Sequence, residues 1–277
     1  LVRDMYRKVR AEKAWVKVGI SPFGLGRPDT RPPGIKGFSQ YDKLYADVEL
    51  WMAQGWLDYT APQLYWPIEQ EAQAFPVLLK YWLGANTMSR HVWPGLFTSR
   101  IDASEKSWQP DDIARQIALT RGSVGDNAQG ATGHLHFSAI ALLQNRKGIA
   151  DALLSSTYTM DALVPASVWL APKTFAIAPA PKAMLRCDSV PHCRLTVSDT
   201  AEPRADKTAL WTQYGGVWDF KVFSARTQEL QVPSVHAGKA LQQVVLSSVD
   251  RFGVESARVT LVPSEPLATT VQGGSRP

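Results

Sequence analysis

Between residues 1 and 150 the apolar positions switch repeatedly between helical spacing and short continuous runs. Val2, Met5, Tyr6 and Val9 share one face of a helix predicted over residues 2–13, and "WVKVGIS" follows as a buried strand ended by "PFG". Ser39, with Asp42 three residues on, predicts a helix cap. Tyr41, Leu44, Tyr45, Val48, Trp51 and Met52 then form one apolar face, and Gly55 closes that helix. "LDYTAPQLYW" reads as the next strand. A helix containing Phe75, Leu78, Leu79 and Trp82 ends near Gly84, and "HVWPGLF" is the third strand. Pro110, Asp111 and Asp112 suit the first turn of another helix, with Ile113, Ile117 and Ala118 inward and Gly122 at its end. "GHLHFSAIALL" is the fourth predicted strand and residues 148–155 the last helix. Strands separated by helices imply a parallel sheet covered by helices, and four such units are half of an eight-stranded (β/α) barrel.

From about residue 172 the helical period is lost. "TFAIA", "AMLRC", "RLTVS", "TALWTQYG", "VWDFKVF", "QELQVP", "ALQQVVLSSVD" and "SARVTLV" are short strand patterns separated by Pro, Gly, Asp and Ser, which suggests an antiparallel β-sandwich. The glycines of "YGGVW" allow a tight hairpin turn. The pattern predicts an α/β unit over residues 1–170, half of a (β/α) barrel or an open doubly wound sheet, then an antiparallel sandwich of immunoglobulin type over 171–266 and a disordered tail over 267–277.

Composition narrows the classes. The chain has 277 residues, 45% of them hydrophobic and 20% charged, an ordinary globular balance. Its net charge of +5 forms no run of Lys and Arg, so no nucleic-acid partner is expected. No apolar run reaches the roughly 18 residues of a membrane span. The first residues lack a signal-peptide pattern, and the chain starts with Leu, so that lack is no argument for the cytoplasm. The five His have neither H-x-x-x-H nor H-E-x-x-H spacing, there are two Cys, and no G-x-G-x-x-G or G-x-S-x-G occurs. No metal or other cofactor is expected. Ten Trp and eight Tyr suit sugar-binding surfaces, although large aromatics more often serve as core.

The words "WVKVGISPFG", "YDKLYADVELWMAQGWLDYTAPQLYWP", "HVWPGLFTSRI", "GHLHFS" and "ALVPA", in order, resemble the bacterial glycoside-hydrolase-like family 10, barrel proteins of the cell envelope. "VVLSSVDRFGVESA" is similar to the last strands of a fibronectin type III-like module. The resemblance implies that the four strands are the fifth to eighth of a barrel whose first half, with its acidic strand ends, lies upstream of Leu1. It also implies a periplasmic or secreted protein acting on cell-wall glycan, particularly peptidoglycan strands stripped of peptides. A non-catalytic carbohydrate-binding or envelope-scaffolding protein is the alternative. The four strands alone are expected to lack hydrolase activity and to self-associate or stay partly unfolded.

Barrel active sites collect at the carboxyl ends of strands. Gln63, Tyr65 and Trp66 sit at such an end, where an amide and aromatic rings form a floor for sugar. Phe23 after the first strand, Trp93 and Arg100 on or after the third, and His136 and Ser138 on the fourth are the further candidate glycan contacts. Phe23 and Trp93 read equally as core lids, Arg100 as the partner of a loop carboxylate, and His136 as a packed, hydrogen-bonded histidine. His134 and His136 are expected to part, one toward the barrel interior and one toward the helices. Among the loop acids Asp29, Glu69, Asp102 and Glu105, the candidate catalytic carboxylates are Asp102 and Glu105, while Asp58 begins its strand at the opposite, stabilising end. Where some relatives carry an acid after the third strand's glycine, this chain has Gly95-Leu96. Cys187 and Cys193 flank a turn-like "DSVPH" and are candidates for a disulfide or for two buried thiols.

Overall fold

The computed structural model describes residues 1–125, 130–172, 176–189, 191–198 and 205–263. The chain divides into two compact units, Leu1–Thr159 and Met160–Pro277.

The first unit alternates helices with short parallel strands. Helix α1 (Val2–Glu12) leads to β1 (Gly19–Ile20), β2 (Tyr59–Thr60) and β3 (His91–Val92), which pair in parallel in that order. Pro94, which has no N–H to give to a ladder, separates β3 from β4 (Gly95–Leu96), and β4 pairs in parallel with β5 (Leu135–His136). Single parallel bridges Phe23–Gln63–Gly95 carry the same order past the strand ends. Four parallel ribs thus lie side by side in sequence order. The carboxylate of Asp58, at the other end of the second rib, is fully buried. It accepts from the Val18 N–H at 2.8 Å and the Tyr6 hydroxyl at 3.0 Å. Burial first, and that carboxylate second, push the Tyr6 hydroxyl pKa up.

Helices α4 (Phe75–Gly84), α5 (Pro110–Gly122) and α7 (Ile149–Ser156) supply Phe75, Leu78, Leu79, Trp82, Leu83, Ile113, Ile117, Ile149 and Leu153 to one core with Leu64, Val92 and Leu96 of the ribs. Pro110 enters α5 at its first turn, and Asp112 accepts from the Gln109 N–H at 2.8 Å.

Two segments differ from expectation. Residues 39–55 form two helices, α2 (Gln40–Leu44) and α3 (Val48–Ala53), because Tyr45 turns left-handed at φ 53°. Ser39 caps the first, accepting from the Asp42 N–H at 3.1 Å, and Asp47 caps the second, accepting from the Leu50 N–H at 3.2 Å. The apolar face is therefore broken: Val48 and Met52 are buried, whereas Leu44 and Tyr45 are 63% and 91% exposed. In "GHLHFSAIALL" only Leu135–His136 is strand, and Ala139–Leu143 is a helix, α6. A continuous apolar run does not distinguish a buried strand from a helix.

In the second unit β6 (Lys182–Ser189), β7 (His192–Ser198) and β10 (Glu229–Pro233) form an antiparallel sheet in the order β10-β7-β6. The other sheet orders β11 (Val235–His236), β12 (Lys239–Asp250), β8 (Ala205–Tyr214) and β9 (Val217–Ser224), with β13 (Val259–Leu261) also paired to β12. Leu195, Val197 and Val232 of the first sheet share a core with Leu210, Tyr214, Val244 and Leu246 of the second, as a sandwich requires. Gly215 (φ 57°) and Gly216 (φ 83°) make the β8–β9 turn. Cys187 and Cys193 are disulfide-bonded. Of "TFAIA", residues 176–178 are not strand and the rest lies outside the described residues, as does the tail 267–277.

Candidate functional site

The carboxyl ends of the four ribs bring residues 21–23, 63–66, 97–100 and 137–138 together. Successive side chains of an extended segment point to opposite faces. Leu64, Val92 and Leu96 lie in the helix-covered core, so Gln63, Tyr65, Trp93 and Phe97 stand on the other face. The Gln63 amide donates from Nε2 to the Ser21 carbonyl at 3.1 Å, with Ser21 Oγ at 3.4 Å. Tyr65 lies 5.2 Å from Phe137 at 24° between ring planes and 5.1 Å from Phe97 at 34°. Phe137 stays 50% exposed, and burial pushes the Tyr65 hydroxyl pKa up.

Trp66 takes the opposite face. Its ring meets Phe23 edge-on at 5.6 Å and packs against the helix-covered core, and its carbonyl accepts from Gln116 Nε2 at 2.9 Å. The expected three-residue floor is thus split by alternation: Gln63 and Tyr65 on one side, Trp66 and Phe23 on the other. Phe97 and Phe137 take the place assigned to Trp66. Their signal was present in "PGLF" and "HLHF", where each Phe follows its strand by one position. Gly24 has no Cβ to meet Trp66, whose ring carbon would lie 2.7 Å away, so the loop after the first rib sits directly against that indole. Gln40, unremarked in the sequence, accepts from the Phe23 N–H at 2.9 Å and donates to the Phe23 carbonyl at 3.2 Å.

Trp93 belongs to a stack with Tyr59 (4.6 Å) and His91 (5.1 Å), and its indole N–H donates to Thr132 Oγ1 at 2.9 Å. It packs more than it presents. His136 is engaged at both ring nitrogens, by Thr98 Oγ1 at 2.7 Å and by the Tyr158 hydroxyl at 2.8 Å. His134 reaches the same hydroxyl at 2.5 Å. The two histidines therefore share a face rather than parting, because positions i and i+2 of a strand always do. Burial holds both imidazoles below their usual pKa, His134 at about 4. Ser138 accompanies Ser99: their hydroxyls are 3.0 Å apart, and the Ser138 N–H donates to Ser99 Oγ at 2.7 Å.

Three of the four loop acids are occupied. Asp102 accepts from the Ser104 hydroxyl at 2.6 Å and N–H at 2.8 Å, with Arg100 at 3.8 Å, and the Ser104 bonds hold its pKa down. Arg27 does the same to Asp29 at 3.1 Å, and Arg115 to Glu69 at 2.8 Å. Glu105 is exposed. A glycosidase general acid needs a raised pKa, so Asp29, Glu69 and Asp102 are suited to holding loops rather than giving protons. Among the described residues no group of three or more His, Cys, Asp or Glu is placed to hold a metal, and no helix is long and apolar enough to cross a membrane. This arrangement can bind a ring with an apolar face and hydroxyl edges.

Comparison with known proteins agrees with the words read in the sequence. Glycosyl hydrolase YngK of Bacillus subtilis is 36% identical over 177 residues, covering 61% of this chain and 34% of that protein. Glycosyl hydrolase DigH of Escherichia coli is 38% identical over 85 residues, 30% of this chain and 19% of that one. The chain thus spans about a third or less of these relatives. Among solved structures, the fn3 domain of human collagen alpha-1(XX) chain is 14% identical, covering 35% of this chain and 99% of that one, with a TM-score of 0.27, too low to bear on the fold. The profile of the family described as Glycosyl hydrolase-like 10 matches residues 1–114, and over that stretch the chain is similar to that family.

Proposed function

We propose that residues 1–170 are the second half of a glycoside-hydrolase (β/α) barrel, that a fibronectin III-like sandwich follows, and that the whole protein acts on cell-wall glycan, with peptide-free peptidoglycan as its substrate class. The observation that carries the reading is the grouping of Gln63 with the Tyr65, Phe97 and Phe137 rings at the carboxyl ends of four parallel ribs, where barrel enzymes keep their sites. The rings suit the C–H face of a pyranose and the amide its hydroxyls. In this reading the acid pair comes from the other half of the barrel. Four ribs leave two sheet edges, so in this reading the chain by itself self-associates or stays partly unfolded. The Cys187–Cys193 disulfide supports a periplasmic or secreted location.

A second reading, a glycan binder without hydrolysis, is favoured by the ion-paired or hydrogen-bonded state of Asp29, Glu69 and Asp102. The test is to incubate the full-length protein and the 277-residue chain with amidase-stripped peptidoglycan, measuring bound polymer and released sugar. The expected result is turnover by the full-length protein, none by the chain alone, and weaker binding in Gln63→Ala and Tyr65→Ala. Unchanged affinity in both variants would sink the strand-end site. Binding without turnover by the full-length protein would select the binder.

A further inference from the structure

The outer face of the larger sheet in the second unit carries a groove that the strand-end site does not use. Register pairs Trp211 with Phe220 and Val245, and Gln213 with Trp218. These side chains share one face, while Leu210, Tyr214, Val244 and Leu246 fill the sandwich core on the other. The solvent face of an antiparallel sheet is ordinarily polar. Here Trp211 and Phe220 lie 4.8 Å apart, and Trp218 beside them is 40% exposed. Together with Met160, Asp161, Val245 and Arg258 they line a groove of about 610 Å³.

Two polar groups in that lining are held in place. Asp161 accepts from the Val222 N–H through Oδ2 at 3.0 Å. The Arg258 guanidinium lies 4.1 Å above the Trp211 ring centroid and donates to Glu255 at 2.7 and 3.2 Å. A carboxylate and a guanidinium of opposite sign, the latter already paired, do not select a strongly charged ligand. Planar polar groups beside an exposed indole match a neutral ring with a C–H face and vicinal hydroxyls.

We propose that this groove is a glycan subsite of the second unit, with the Trp218 ring as its platform and Asp161 and Arg258 contacting the hydroxyls of one pyranose. The proposal rests on the reading that the protein handles polysaccharide. The test uses the whole chain and a defined neutral probe, the β-1,4-linked tetrasaccharide of N-acetylglucosamine, titrated by calorimetry. Trp218→Ala is expected to weaken binding about tenfold, and Arg258→Gln to weaken it in the same direction, with far-UV circular dichroism unchanged in both. Arg258→Gln, an exposed side chain, carries the test if Trp218→Ala disturbs the sheet. Undiminished binding in these variants, together with loss in Tyr65→Ala, would overturn the groove and leave the glycan reading standing. If the parent chain binds neither the tetrasaccharide nor stripped peptidoglycan, both fall.

Discussion

Replacing Trp82 tests how the helix layer holds the strand-end loop. The indole is fully buried on α4, lies 5.4 Å from Tyr81 edge-on, and donates from Nε1 to the Gly24 carbonyl at 2.8 Å. Gly24 in turn abuts Trp66 and the Gln63 carbonyl, so one hydrogen bond links the helix core to the site. Trp82→Ala removes a side chain burying roughly 150–250 Å². At about 25 cal/mol per Å² that is ~4–6 kcal/mol, close to the ~3–5 kcal/mol of large aromatic truncations. Trp82→Phe keeps most of the ring contact and loses the donor, which costs about 1–3 kcal/mol for the carbonyl left behind. Urea unfolding of the parent and both variants, followed by circular dichroism, measures the two losses. The expected order is Ala well below Phe, and Phe below parent. Equal losses would show that the hydrogen bond rather than packing dominates, and no loss in either would refute the placement of Trp82 in the core.

Gly24→Ala should disturb the same loop from the other side, because its Cβ would meet the Gln63 backbone carbonyl. A loss of ~1–3 kcal/mol and weaker glycan binding are expected, and a variant indistinguishable from the parent in both measurements counts against the close approach. His134 has its folded pKa lowered by burial to about 4. The unfolded chain, near 6.5, therefore binds the proton more readily. Its contribution is fully present above about pH 6.5 and lost as pH falls toward 4, up to ~3 kcal/mol. The unfolding midpoint of His134→Gln should accordingly change less over that window than the parent's, and parallel curves would contradict the assignment. Reducing the Cys187–Cys193 bond, which closes a sequence separation of 6, should destabilise the sandwich by about 2 kcal/mol; thiol titration of denatured, unreduced protein should find no free sulfhydryl.

The local features were legible because they depend on near neighbours. Ser39 caps α2 and Pro110 opens α5 within one turn of the residues that announce them. Gly215 and Gly216 both take positive φ in the hairpin their spacing predicts. Heptads of apolar residues were not needed for α4: Phe75, Leu78, Leu79 and Trp82 recur at three and four positions, and all are buried. The break at Tyr45 was not legible, since Tyr41, Leu44, Val48 and Met52 keep helical spacing across it while Asp47 begins a second helix.

By itself the sequence determined the alternation of helices with parallel strands and the change to an antiparallel sandwich, and it carried the likeness of residues 1–114 to a glycosyl hydrolase-like family. It also placed the aromatic and amide residues at strand ends. Only the tertiary structure decided what each of them does there. Trp66 and His136 turn away from Gln63 and Tyr65 because the side of a strand that becomes core is set by which face the helices cover. Glu69 is claimed by Arg115, 46 positions away, and Gln40 clamps Phe23 from 17 positions away. Periodicity is a property of the backbone and is written locally. Hydrogen bonds and ion pairs between distant segments exist only once packing has brought their partners within reach.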